Sequence, residues 1–238
     1  MIYDIIVIGG GPAGMTAAIK AKETAPSASV KLIDKNEKLG KKLYATGNGK
    51  CNIANTKLDL SCYSSANEFF PFQFVTTDSH NDVMYFFESL GVSSYDDNGY
   101  IYPASLQAST IVWALTDRLK ILGIENSTSE EVLSIQQGKD GTYIVDTDKG
   151  GYRTTQVILA PGGAAAPKLG GSDRVYRLLD DLNVRFVKTH PALCKLKCHE
   201  YISDMSGVRA KAVVRLMCDG EEYDHERGEV QFASGYLS

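Results

Sequence analysis

The run Ile5-Ile6-Val7-Ile8 passes directly into Gly9-Gly10-Gly11-Pro12-Ala13-Gly14, and this junction constrains the fold more than any other stretch of the chain. Four consecutive β-branched residues suit a strand buried on both faces of a parallel sheet. Pro12 falls where a first helical turn tolerates a missing N–H. The alanine- and lysine-rich stretch from Met15 to Glu23 predicts a helix, ended by Pro26 and Ser27. Val30-Lys31-Leu32-Ile33-Asp34 predicts a second strand. Together these segments form a β-α-β unit with a glycine-rich first turn, and so an α/β fold built on a parallel sheet.

Gly9-x-Gly11-x-x-Gly14 has dinucleotide-binding spacing: the first glycine permits a tight turn, the second lets backbone approach a pyrophosphate, the third lets helix and strand pack closely. Unpaired N–H groups and the macrodipole favour negative charge at such a helix N-terminus, so Gly11, Pro12, Ala13 and Gly14 are expected around the phosphates. An incidental glycine turn could share the spacing. The flanking strand and helix, and Asp34 at the end of the next strand with Lys35 beside it, argue for the dinucleotide. A carboxylate there can accept hydrogen bonds from both hydroxyls of an unphosphorylated adenosine ribose, which points to FAD or NAD rather than NADP.

Further along, a long polar connection from Lys35 to Thr56 contains Thr46-Gly47-Asn48-Gly49-Lys50-Cys51-Asn52, and loops of this length are usually functional or disordered. Aromatic residues from Phe69, Phe70, Phe72 and Phe74 to Tyr85, Phe86 and Phe87 predict helices on a core, with a substrate wall as the sharper reading. Asn98-Gly99 predicts a hairpin turn, and Ser109 to Leu122 a half-buried helix. Val132–Ile135, Thr142–Val145 and Tyr152–Leu159 predict three successive strands, the last ending in Ala160-Pro161-Gly162-Gly163. A meander followed by a glycine pair is the layout of flavoproteins with two dinucleotide folds, and together with the N-terminal motif and the lack of a second GxGxxG it favours FAD. Taken alone, Gly162-Gly163 could be an ordinary loop. Val208–Met217, the turn Asp219-Gly220 and Gly228–Phe232 predict the opening of a β-rich second domain, giving boundaries at residues 1–190 and 191–238.

The net charge of −4 gives no electrostatic reason to expect a nucleic-acid partner. The first apolar run is broken at Gly9, far short of the roughly 20 residues that span a bilayer, and no basic region precedes it. Five scattered cysteines without a CxxC or a metal-ligand spacing suit reduced thiols. The expectation is a cytoplasmic protein with a small-molecule substrate, no membrane partner and no metal.

Four blocks resemble the BaiN-type, or YhiN-like, NAD(P)/FAD-dependent oxidoreductases. They are Ile8-Gly9-Gly10-Gly11-Pro12-Ala13-Gly14-Met15; Gly40-Lys41-Lys42-Leu43 through Thr46–Asn52; Gly99 through Pro103-Ala104-Ser105; and Pro161-Gly162-Gly163 through Ala166–Gly170 to Pro191-Ala192-Leu193. The resemblance covers essentially the whole chain, and its second block is the most specific. It implies a glutathione-reductase-like FAD domain with an inserted β-rich domain, and noncovalent FAD with NAD(P)H as a candidate transient electron donor. Hydride transfer to or from a small organic substrate is the implied reaction. In that frame Lys42 faces the pyrophosphate, Gly47, Asn48 and Asn52 approach the flavin end, Val132 contacts adenine through its backbone, and Pro161 and Gly162 pass near the cofactor. Lys50 stands where arginine is more usual, keeping the charge but losing the bidentate fork. Pro161 replaces a small or hydroxyl residue and removes an N–H. The family's late Gly-Glu/Asp segment beside the flavin has no counterpart after Gly228, so the resemblance implies a truncated chain, with a non-catalytic fragment as one alternative and a flavoprotein acting on RNA as another.

Weaker candidates remain. Cys51 could serve as a redox or acid group, although a buried structural thiol is the simpler reading because no partner thiol lies nearby in sequence. Lys41 and Lys42 could equally be a solvated pair. His190 before Pro191 reads as structural, and His80, His199 and His225 give no constellation.

Overall fold

The structure is a computed structural model describing residues 2–58, 62–63, 76–187, 189–190, 195–199 and 203–237. Phe69, Phe70, Phe72 and Phe74, the Pro191-Ala192-Leu193 block and Cys194 lie outside the described residues. Two compact units divide the chain, Met1–Phe186 and Val187–Ser238.

In the first unit the glycine-rich junction forms as its sequence requires. Strand β1 (Ile2–Ile8) leads into helix α1 (Pro12–Thr24), with Gly11 as N-cap and Pro12 in the first turn, and the chain returns as β2 (Val30–Ile33). β1 and β2 pair in parallel, Ile5 opposite Val30 and Ile8 opposite Ile33. After short β3 (Ala54–Asn55) comes helix α2 (Thr77–Ser89), started by a capping box in which Thr76 and Ser79 exchange side-chain and backbone hydrogen bonds. Strands β4 (Ser94–Asp97) and β5 (Tyr100–Pro103) are joined by Asn98 and Gly99, both at positive φ, the requirement of a tight two-residue hairpin. Helix α3 (Ala108–Ile121) buries Ile111, Val112, Leu115 and Leu119 on one face.

The meander follows as β7 (Val132–Gln137), β8 (Tyr143–Thr147) and β9 (Gly150–Leu159). Before it lies β6 (Glu125–Ser127), which the sequence reading does not anticipate: three polar residues paired through backbone to the edge of β2, with the Glu125 side chain also bonded to Lys31 and Tyr3. The sheet order is β6-β2-β1-β9-β8-β7. β9 belongs to both halves, antiparallel to β8 through Gly150–Thr154 and parallel to β1 through Arg153–Leu159. Both faces of this sheet are covered. Val7, Val30 and Leu32 pack with α1 and α3, while Ile6, Ile8 and Ile33 pack with Ile135, Val145 and Leu178 of helix α4 (Arg174–Asp181). Ile6, Val7 and Leu32 are fully buried, each contributing about 1.5–3 kcal/mol.

The second unit is β-rich: β10 (Leu196–Lys197), β11 (Arg209–Cys218), β12 (Glu221–Ala233) and β13 (Tyr236–Leu237), in sheet order β10-β13-β12-β11. β12 is continuous from Glu221 rather than starting at Gly228, because its polar first half is carried by the ladder with β11. No helix among the described residues is long and apolar enough to cross a membrane.

Candidate functional site

The parallel strands β1, β2 and β9 all end on one side of the sheet, and a groove runs along those ends, the position where open α/β sheets bind ligands. The glycines create it. Gly9, at φ +106, has no space for a side chain: a Cβ there would lie 2.1 Å from the Ala160 carbonyl oxygen. A Cβ on Gly14 would lie 1.7 Å from the Gly9 carbonyl oxygen, so helix and strand touch through backbone. At Gly11 nothing stands within 4 Å of the Cβ position. That opening is where a ligand can reach the first turn of α1, whose leading N–H groups have no intrahelical partner.

One stretch of the groove combines Gly11, Pro12 and Ala13 with Lys41, Lys42 and Pro161. Lys42 crosses it: its Nζ donates to the Gly163 carbonyl at 3.3 Å, and it stands 3.8 Å from the Cβ position of Gly162. Two ammonium groups and a helix N-terminus around one cleft suit a diphosphate. The other stretch is lined by Ile8, Ile33, Val132 and Leu178 together with Lys35 and Glu130, a mixed apolar and charged wall. Val132 sits at its wall while its backbone pairs with Thr147. Gly9, Asp34, Asn36, Pro161 and Gly170 border both stretches, making one continuous channel.

Asp34 occupies the middle and is buried. Its Oδ2 accepts from the Gly10 N–H at 2.5 Å, and its Oδ1 from the Asn36 N–H at 2.6 Å and Nδ2 at 2.9 Å. The carboxylate is therefore held on both oxygens, a feature that motif spacing does not disclose. Gly10 and Asn36 are the residues that sequence reasoning missed here. The only signal for Gly10 was a fourth glycine in a motif needing three: a Cβ there would lie 2.3 Å from Leu39 Cδ2.

The loop after the two lysines is a tight 3-10 turn, Leu43–Gly49, that doubles back on itself. Gly47 and Asn48 are consecutive left-handed residues, and the Cys51 N–H donates to the Thr46 carbonyl at 3.0 Å. A Cβ on Gly47 would lie 2.7 Å from the Asn52 nitrogen. Thr46 reaches the groove. Asn52 borders an adjoining apolar recess with Pro12, Ala13, Leu43, Cys51 and Ile53, and its Nδ2 donates to the carbonyls of Ala54 at 3.1 Å and Ile101 at 3.2 Å. Cys51 is buried, and burial pushes its thiol above the ordinary value, partly offset by a hydrogen bond with Thr46. Lys50 places its ammonium 5.9 Å from the centre of the Tyr102 ring.

A carboxylate at the ribose position, cations and free amides at the diphosphate position, and an open glycine between them fit an adenine dinucleotide. Comparison with known proteins shows the family. The HI0933-like protein Rossmann domain matches residues 3–226. The chain is 31% identical over 233 residues to the 3-dehydro-bile acid delta(4,6)-reductase of Clostridium scindens, covering 98% of this chain and 57% of that protein. It is 25% identical over 225 residues to the ribosomal RNA dihydrouridine synthase of Escherichia coli, covering 89% and 53%. Among solved structures, E. coli quinol fumarate reductase FrdA aligns with a TM-score of 0.51 at 18% identity, over 69% of this chain and 33% of that one, a likeness of fold. The chain thus spans a little over half the length of these curated relatives. By the family match and the identity to the reductase, the chain belongs to the HI0933-like Rossmann-domain family.

Proposed function

We propose that this chain is the FAD-binding part of a cytoplasmic flavin-dependent oxidoreductase that moves hydride to or from a small organic substrate, with NAD(P)H as electron donor. The observation that carries the reading is the continuous channel at the strand ends, with Asp34 at its middle and Gly11 open beside the first turn of α1. FAD, when bound, supplies the two-electron chemistry, while the chain supplies binding, orientation and electrostatics. Backbone N–H groups of the first α1 turn, with Lys41 and Lys42, offset the diphosphate charge. Asp34 takes the adenosine ribose, and the stretch around Ile8, Ile33 and Val132 receives adenine. The reductase name of the Clostridium scindens relative supports the reaction class.

The test is an absorbance spectrum of the purified chain after adding excess FAD and desalting, followed by reduction with NADH and with NADPH. Flavin retained near equimolar supports the reading; a folded chain that retains none refutes FAD binding by this chain alone. A second reading, a flavoprotein acting on RNA, is favoured by the dihydrouridine synthase relatives of E. coli and Haemophilus influenzae. The net charge of −4 weighs against it for this chain. Salt-dependent RNA binding by the purified chain would support it.

A further inference from the structure

We infer that Asn36 is a second ribose-binding residue, and that the two hydroxyls of the adenosine ribose are divided between Asp34 Oδ2 and the Asn36 side-chain oxygen. The inference rests on the adenine-dinucleotide reading above and corrects its expectation that Asp34 takes both hydroxyls.

A carboxylate offers about four acceptor positions, two on each oxygen. In Asp34 both positions on Oδ1 are occupied from one side chain and its own backbone, by Asn36 N at 2.6 Å and Asn36 Nδ2 at 2.9 Å. Oδ2 already accepts from Gly10 N at 2.5 Å. One acceptor position is left, enough for one hydroxyl. The second hydroxyl of a cis-diol needs another acceptor within reach.

Asn36 provides it. Because its nitrogen must face the Asp34 carboxylate, the orientation of its amide is fixed, and the oxygen points away from that contact. The amide lies against Gly170: a Cβ on that residue would lie 2.8 Å from the Asn36 oxygen and 3.0 Å from its nitrogen. Gly170 itself, at φ +91, does not satisfy the oxygen, since its N–H donates to the Pro167 carbonyl at 3.0 Å. Asn36, Asp34 and Gly170 border both stretches of the channel, so Asn36 stands where the two stretches meet. The backbone holds the residue in place as well, its carbonyl accepting from Ser129 N at 2.9 Å.

The experiment compares binding of FAD with its 2′-deoxy and 3′-deoxy adenosine analogues by the 238-residue chain and by Asn36→Ala. In the wild-type chain each missing hydroxyl should weaken binding about two- to tenfold, the worth of one hydrogen bond. In Asn36→Ala one of the two analogues should bind as well as FAD itself, while the other keeps its penalty. Gly170→Ala, which presses a methyl group on both amide atoms and strains a backbone at φ +91 but leaves both polar side chains present, should silence the same hydroxyl; with folding verified by its melting curve, it carries the test if Asn36→Ala does not fold. Undiminished penalties for both analogues in the variants, or a wild-type chain indifferent to one hydroxyl, overturn the division. A folded wild-type chain that binds no FAD overturns the FAD reading itself, which is a different result.

Discussion

The backbone N–H of Gly10 donates to Oδ2 of Asp34 at 2.5 Å, joining the glycine-rich turn after β1 to the carboxylate that ends β2. Ligand recognition and local stability therefore share one side chain. Asp34→Ala removes the acceptor of three donors, Gly10 N and both Asn36 nitrogens, in a buried setting. A buried donor left without a partner costs about 1–3 kcal/mol, so the melting temperature should fall by about 2–10 °C and FAD retention should fall with it. A variant that melts with the wild type would show that the carboxylate serves the ligand alone.

Two of the motif glycines, Gly11 and Gly14, should separate by phenotype. Gly14→Ala puts a methyl group 1.7 Å from a backbone oxygen, which no rotamer can relieve. It should destabilise the fold by about 3 kcal/mol or more. Gly11→Ala sits at φ −76 with nothing within 4 Å, so stability should stay within about 0.5 kcal/mol of wild type. The same methyl group stands where a diphosphate must approach, and FAD affinity should drop about tenfold or more. Thermal melts and flavin titrations of the two variants check this. Equal stability losses at both positions would refute the assignment of Gly11 to ligand approach.

The same residues mark how far the sequence was legible. Steric necessity leaves a spacing, so Gly9, Gly11 and Gly14 announced the turn, and Asn98-Gly99 announced a hairpin whose residues are both at positive φ. Asn36 left no such trace, because its role depends on a turn that brings its amide onto Asp34 and on Gly170 arriving from far along the chain. β6 was invisible because its three residues are polar, and what holds them at the sheet edge is backbone pairing and the contacts of Glu125 with Lys31 and Tyr3, none of which leaves a periodic pattern. The Thr46–Asn52 string stood out as unusual, but spacing could not say that Asn52 ties the loop to the carbonyl of Ile101 on β5.

Cys51 should behave as a protected thiol. Burial raises it above the ordinary value, while Cys62 and Cys218 are exposed. At about pH 8, near the ordinary thiol range, iodoacetamide should label Cys218 and Cys62 at least about tenfold faster than Cys51. Denaturant should abolish the difference. Because the folded value lies above the unfolded one, the neutral thiol's contribution is complete below about pH 8.5 and is lost as pH rises through the folded value. Cys51→Ala should therefore flatten the alkaline fall in melting temperature. Native-state labelling of Cys51 at the rate of Cys218 would instead assign it an exposed, reactive role.

Lys31 supplies the last prediction. It lies in the middle of β2 with 2% of its surface exposed, ion-paired through Nζ to Glu125 Oε1, with Tyr152 and Tyr3 ring centres at 4.7 and 5.5 Å. Glu125 also accepts from the Tyr3 hydroxyl at 2.7 Å. The Lys31 and Tyr3 hydrogen bonds hold the Glu125 carboxyl below its ordinary range. Burial alone would lower Lys31, but the Glu125 hydrogen bond and charge outweigh it and the net shift is upward. A depressed carboxyl loses its contribution as pH falls through the folded value, and a raised ammonium loses its contribution as pH rises through the folded value. The pair should thus be intact between about pH 5 and pH 10. Glu125→Ala leaves a buried ammonium uncompensated; because the Glu125 side chain is 54% exposed, the cost should be screened to about 1–3 kcal/mol. Lys31→Met keeps the volume without the charge and should stay within about 1 kcal/mol of wild type. Adding Lys31→Met to Glu125→Ala should then restore most of the lost stability, and the gap between wild type and Glu125→Ala should close as pH falls through the depressed value of Glu125. If the double variant is no more stable than Glu125→Ala, the loss is one of packing around Tyr3 rather than of charge compensation.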